Sequence, residues 1–177
     1  MLTNSLSTTG HVTKPPLSVW SLPIETMETF DARVIWHKTK ALWFIPVHDE
    51  MGKRIGSIAR DPISSQDMYH GGFERDSVVF NLNRVISFGR GGILTVTEDP
   101  YDCVSLWATG ERNVVSLLGP KLSNVQFELI FRSMTPSGIR LVLSRTSSAP
   151  SSRLQMIEKF ATKTYVRVVK AFAESVT

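Results

Sequence analysis

The chain is nearly free of cysteine. Its 177 residues hold one, Cys103, so neither an intrachain disulfide framework nor a cysteine-built zinc site can form within one copy. A reducing compartment fits, and no zinc is expected. The four histidines, His11, His37, His48 and His70, show no metal-ligand spacing. Each reads as a surface or hydrogen-bonded histidine. Long apolar runs are missing too. No stretch approaches the ~20 apolar residues of a membrane span, and residues 1–16 lack the apolar centre of a signal peptide. The expectation is a soluble, cytoplasmic protein with no membrane partner. A third absence is local: from Ser144 to Arg153 there is no acidic residue.

What is present suits a globular protein, with 42% hydrophobic and 20% charged residues. The length allows one ordinary domain, alone or with a small appendage. The formal net charge is +4 and the sequence pI is near 9.4. That mild basic bias is compatible with a nucleic-acid partner and does not require one.

Residues 1–23 read as a flexible arm. A short helix is expected within 21–30, opened by Pro23. Residues 33–36 and 42–47 read as strands, the second strongly apolar, with Pro46 suggesting an edge position. A turn over 48–53 leads to the alternating strand 54–60, which makes a hairpin. Residues 61–76 are polar and Gly-rich and read as a loop. A short strand and helix fit within 78–88. From Gly91 the pattern becomes regular: strand 93–97, helix 100–109, strand 114–118, a helix capped by Ser123 to about 134, strand 141–144, helix 152–162, strand 165–172. Such β-α-β repetition builds a parallel sheet covered by helices. The expected architecture is therefore a small α+β subdomain over 24–90 followed by an α/β domain over 91–177.

The stretch Ile93-Leu94-Thr95-Val96-Thr97-Glu98-Asp99-Pro100-Tyr101-Asp102 carries the chemistry. An apolar strand runs into two acids, and a helix starts at a proline. Glu98 is thereby set at the carboxyl end of a buried strand, where open α/β sheets bind ligands. Asp99 before Pro100 reads as an N-cap. The helix dipole also accounts for Asp102 in the first turn and for Glu98 just before it. Gly89-Arg90-Gly91-Gly92 lacks the Lys-Ser/Thr ending of a P-loop and reads as a turn feeding the strand.

These residues resemble the Toprim domain of bacterial and phage DNA primases. The match is carried by Val96-Thr97-Glu98 with Asp102 four residues on. It continues through the helix that ends at Thr109-Gly110 and through Asn113-Val114-Val115-Ser116-Leu117-Leu118-Gly119-Pro120-Lys121-Leu122-Ser123. Upstream, residues 45–60 resemble the hairpin of the primase polymerase core, and Phe80-Asn81-Leu82-Asn83-Arg84 resembles the segment before the Toprim strand. The similarity spans about residues 24–172.

The resemblance implies a Mg²⁺ site made by one Glu and an Asp-x-Asp pair on the next-but-one strand, serving nucleotidyl transfer. Here the Glu is present and the pair is not. Aligning Arg153 with the arginine that often follows the family's pair puts Ser147 and Ala149 at the two Asp positions. A shifted register puts Ser144 and Thr146 there. Were Arg145 ~5 Å from a divalent ion, repulsion at an effective dielectric of ~20 would be roughly 6–7 kcal/mol. Glu98 and Asp102 are the candidate catalytic residues, with Glu98 the candidate ligand for Mg²⁺. Lys53, Arg54, Arg60, Arg84, Arg90, Arg145 and Arg153 are the candidate nucleic-acid contacts. Trp36, Trp43 and Phe44 could stack on bases, although the core is the simpler use for the last two. The leading expectation is a primase-like Toprim protein that is catalytically degenerate and binds single-stranded DNA, RNA or a replication or transcription protein. The alternatives are a reduced metal-dependent primase or nuclease using Glu98 and Asp102, and a protein-interaction module on a Toprim scaffold.

Overall fold

The computed structural model describes residues 22–88, 91–143 and 150–170. The expected arm therefore lies almost wholly outside the described residues. Helix α1 (Ile24–Thr29) starts directly after Pro23, whose fixed φ suits a helix entry. Four strands follow as an antiparallel meander: β1 (Arg33–His37), β2 (Lys40–His48), β3 (Arg54–Arg60) and β4 (Asp67–His70). The β2–β3 turn is closed by Asp49, whose side chain accepts from the Met51 and Lys53 amides at 3.0 and 2.9 Å. Gly52 supplies the positive φ of 83° that this turn needs.

Two sequence expectations change here. Residues 61–76 are not all loop: β4 runs antiparallel to β3, with Arg60 opposite Asp67 and Ile58 opposite Tyr69. A four-residue strand is too short for alternation to reveal it, and the Arg60–Asp67 side-chain pair holds its start. Pro46 does not mark an edge strand, because β2 lies between β1 and β3. β1 ends opposite Phe44, so Pro46 has a paired neighbour on the β3 side alone, at Ser57. Proline is tolerated there for the reason it is tolerated on an edge.

After a short 3-10 turn (Arg75–Ser77), α2 (Leu82–Phe88) leads to the second sheet. Its elements are β5 (Ile93–Thr97), α3 (Pro100–Ala108), β6 (Val114–Ser116), α4 (Asn124–Ser133), β7 (Gly138–Leu143), α5 (Pro150–Ala161) and β8 (Tyr165–Lys170). The strand order is β6-β5-β7-β8, and all pairs are parallel. The α/β expectation, a helix-flanked parallel sheet beside a small N-terminal α+β unit, holds. Ser123 caps α4 through a reciprocal capping box with Gln126. The Gln126 amide also donates to the carbonyls of Arg75, Val78 and Leu117, pinning α4 to the segment before α2.

Alternation along the parallel strands divides the core in two. Leu94, Val96, Val115, Ile139 and Leu141 face α2, α4 and α5, where Leu82, Phe127, Ile130 and Phe160 pack on them. On the other side, Val114 and α3 residues Tyr101, Cys103, Val104 and Trp107 meet Trp43, Ile45, Val47 and Ile58 of the meander. The second core is thus made by both sheets. It brings the end of β3 against the end of β5.

Candidate functional site

The site is built at the carboxyl end of β5. This strand is interior, flanked by β6 and β7, and its buried apolar residues fix where it stops. Glu98 follows immediately and is buried. Thr97 holds the turn by donating from Oγ1 to the Asp99 carbonyl at 2.9 Å. Asp99 then caps α3, its Oδ1 accepting from the Tyr101 amide at 2.7 Å, as its place before Pro100 predicts. Asp102 stands in the first turn of α3. Burial, Asp99 and Glu98 push its carboxyl up to about 6, against the opposing pull of Arg60.

Arg60, at the end of β3, ties the two sheets together. It forks onto Asp67, Nε to Oδ1 at 2.6 Å and Nη2 to Oδ2 at 2.9 Å. The same Nη2 reaches Asp99 Oδ2 at 2.8 Å. Its guanidinium also lies over the Tyr101 ring, 3.8 Å from the centroid. Burial alone would lower the pKa of Arg60; the two carboxylates outweigh it and hold the group above its ordinary value. Tyr101 is buried, which pushes its phenol up, and its hydroxyl donates to the Trp43 carbonyl at 3.1 Å. Beside this cluster opens a cleft of about 370 Å³. Arg60, Asp67, Tyr69 and Arg75 line one wall, and Glu98, Pro100, Gly119 and Pro120 the other. The loop after β6 therefore joins the loop after β5 at the same end of the sheet.

Glu98 meets a cation here. Arg153, in the first turn of α5, brings its Nε to 3.8 Å from Glu98 Oε1. The donor set does not fit the two-sided carboxylate site that the resemblance implies. Among the described residues no three His, Cys, Asp or Glu side chains group to hold a metal ion. Residues 144–149 lie outside the described residues, yet their composition, Ser-Arg-Thr-Ser-Ser-Ala, offers no carboxylate. Asp99 is committed to Arg60 and to its own helix.

The basic candidates are not gathered on one face. Arg60 and Arg153 stand at the β5 end. Lys53 and Arg54 stand at the other end of β3, whose seven residues span roughly 20 Å. They line an open groove with Asp49 and Phe73, and the Arg54 guanidinium lies over the Phe44 ring at 5.5 Å. Arg84 also approaches this end: burial first, then Arg84 and Arg54, lower the pKa of His48. Arg84 itself donates twice to the Thr29 carbonyl, at 3.1 and 2.8 Å, and covers the Phe30 ring. Arg90 and Arg145 lie outside the described residues. Of the three aromatic candidates, Trp43 and Phe44 are buried, and Trp36 is 63% exposed.

Sequence reasoning missed Asp67, Tyr69 and Arg75, because 61–76 read as loop. The available signal was the charge pair Arg60 and Asp67, which an antiparallel hairpin sets directly opposite each other. Gly119 and Pro120 carry the family resemblance, and only the structure brings them to the cleft.

The fold, a meander packed against a β6-β5-β7-β8 parallel sheet, is similar to that of primase catalytic cores. The Escherichia coli primase catalytic core matches with a TM-score of 0.70 over 90% of this chain and 64% of that one, at 14% identity. A primase catalytic domain solved bound to ssDNA matches with a TM-score of 0.69 over 90% and 63%, also at 14% identity. In sequence the chain is homologous to the DNA primase of Clostridium acetobutylicum, with 30% identity over 118 residues. That alignment covers 60% of this chain and 20% of the relative, so the chain spans about a fifth of that protein's length. No family profile matches the chain. Among the described residues no helix is long and apolar enough to cross a membrane.

Proposed function

We propose that this primase-related chain binds single-stranded nucleic acid through the primase-core fold and does not synthesise primers. The observation that carries this reading is the Glu98–Arg153 pair at the end of β5. Where nucleotidyl transfer needs a cation held by several carboxylates, the buried Glu98 carboxylate lies 3.8 Å from a guanidinium, and residues 144–153 contain no acid. The nucleic-acid part draws on the net charge of +4 and on Lys53 and Arg54 along the open groove at the start of β3. It also draws on the fold's likeness to a primase domain solved with ssDNA. A cytoplasmic replication setting accords with the homology.

Two measurements test it. Primer synthesis is assayed on a single-stranded template with Mg²⁺ and with Mn²⁺; no product is expected. Robust synthesis that is abolished by Glu98→Gln overturns the non-catalytic reading. Binding of labelled single-stranded DNA is followed by anisotropy over a salt series. Affinity that falls steeply with salt is expected, because phosphate contacts release counterions. No binding at low salt overturns the nucleic-acid reading and favours a protein partner.

A further inference from the structure

Among the described residues, part of one face of the parallel sheet has no cover. One side of the sheet buries Leu94, Val96, Ile139 and Leu141 beneath α2, α4 and α5. On the other side α3 packs on Val114 of β6, and no residue of β7 or β8 belongs to that core. All-parallel sheets are as a rule covered on both faces. At the amino ends of the strands, Ile93, Gly138 and Tyr165 stand side by side on this second face. Thr95, Arg140 and Arg167 form the next row on it. Ile93 is 52% and Tyr165 70% exposed. Their side chains flank Gly138, where a Cβ would lie 3.7 Å from each. Arg167 is exposed as well. One row further on, Val142 is buried, so the opening lies at the end of the sheet away from Glu98.

The two arginines set its chemistry. Arg140 and Arg167 are direct cross-strand partners, an arrangement that like charges disfavour. Glu111 compensates one of them, its Oε2 lying 3.1 Å from Arg140 Nη2. Arg167 has no ion pair among the described residues. An apolar row beside an uncompensated cation matches an acidic amphipathic helix. Its apolar side chains would rest on Ile93 and Tyr165 and its carboxylates on Arg167. A phosphate backbone would use the cation and leave the apolar row in water. We propose that this open β7–β8 surface docks an acidic amphipathic helix of a partner protein. The surface lies at the opposite end of the sheet from the Glu98 cleft, and the inference stands apart from the nucleic-acid reading above.

The test uses the isotope-labelled full chain and amide NMR shifts, which map the contact. The probe is an alanine-based helical peptide of about 15 residues with leucines and glutamates on one face. Its counterpart carries lysines for the glutamates. The glutamate peptide is expected to shift the Ile93, Gly138, Tyr165 and Arg167 amides and to leave those of Lys53 and Arg54 in place. The lysine peptide is expected to shift none of them. Tyr165→Ser is expected to weaken the glutamate peptide about tenfold, and Arg167→Glu to abolish its binding. Both side chains are exposed, so these variants keep the fold. No shift with millimolar glutamate peptide, or the same response to both peptides, overturns the inference. Single-stranded DNA that moves the same four amides overturns it too, since nucleic acid is then the occupant. So does self-association in sedimentation that Arg167→Glu abolishes, a second copy then being the occupant. Peptide binding that appears only after residues 171–177 are removed assigns the surface to the chain's own end and overturns it as well.

Discussion

Asp102 is the acid at this site whose environment most alters its chemistry. Its carboxyl titrates at about 6 in the folded chain, against 3.8 as its ordinary value, because burial and the neighbouring Asp99 and Glu98 disfavour its charge. Between those values the folded state holds a proton that the unfolded state has released. Stability from this group therefore falls as pH rises from about 4 to about 6 and stays at the lower level above. Asp102→Asn removes the ionisation. The variant should gain on wild type as pH rises through that window, with the gain levelling off above about pH 7. Urea midpoints for both proteins from pH 4 to 8 check this; a difference that is flat with pH would contradict it. At this scale the sequence was partly legible. The run from Ile93 to Asp102 located Glu98 at a strand end and Asp99 as a cap, since strand period and proline position are local properties. That Arg153 turns toward Glu98 depends on the rotational phase of α5 against β5, which no local pattern encodes.

Among the elements, β3 and β4 show how a short edge strand is held without a strong strand signal. Arg60 and Asp67 join them at one end. At the other, Gly56 lets Phe73 and the chain after β4 fold back over the strand. A Cβ at Gly56 would lie 2.4 Å from Phe73 Cδ1 and 2.5 Å from the His70 carbonyl oxygen. The backbone oxygen cannot move aside as a side chain can, so Gly56→Ala should destabilise by about 2–3 kcal/mol. Equilibrium urea unfolding measures it, and a change below about 0.5 kcal/mol would show that the β3–β4 connection yields freely. The strong elements were legible because their signals are local: the proline at the start of α3, the capping box of α4, the apolar run of β5. The strand β4 and the place of Pro46 were not, because both depend on which neighbour lies alongside and where that neighbour ends.

For the whole molecule, the decisive feature is that one of the two cores is shared. Phe30, Trp43, Ile45 and Phe80 from before residue 91 pack with Tyr101, Val104, Trp107 and Val114 from after it. Arg60 and Asp99 add an ion pair across the same boundary, at 2.8 Å. Separating the segments would expose apolar surface on both sides and leave partly buried charges unpaired. Thermal unfolding should therefore be one transition, with far-ultraviolet circular dichroism and tryptophan fluorescence giving coincident midpoints. Two resolved transitions would mean that the units over 24–90 and 91–177 fold independently.

Sequence alone determined the succession of elements over residues 91–170, the helix-flanked parallel sheet, and the location of an acid at the end of β5. It also determined that residues 144–153, directly after β7, hold no acid. These are consequences of period, caps and composition, which act over a few residues. Tertiary structure decided what the acid faces and what surrounds it: the guanidinium of Arg153, the Arg60 bridge between Asp67 and Asp99, and the cleft between the meander and the loops after β5 and β6. Each of these joins residues far apart in the chain, and their meeting is set by how the two sheets pack around a shared core.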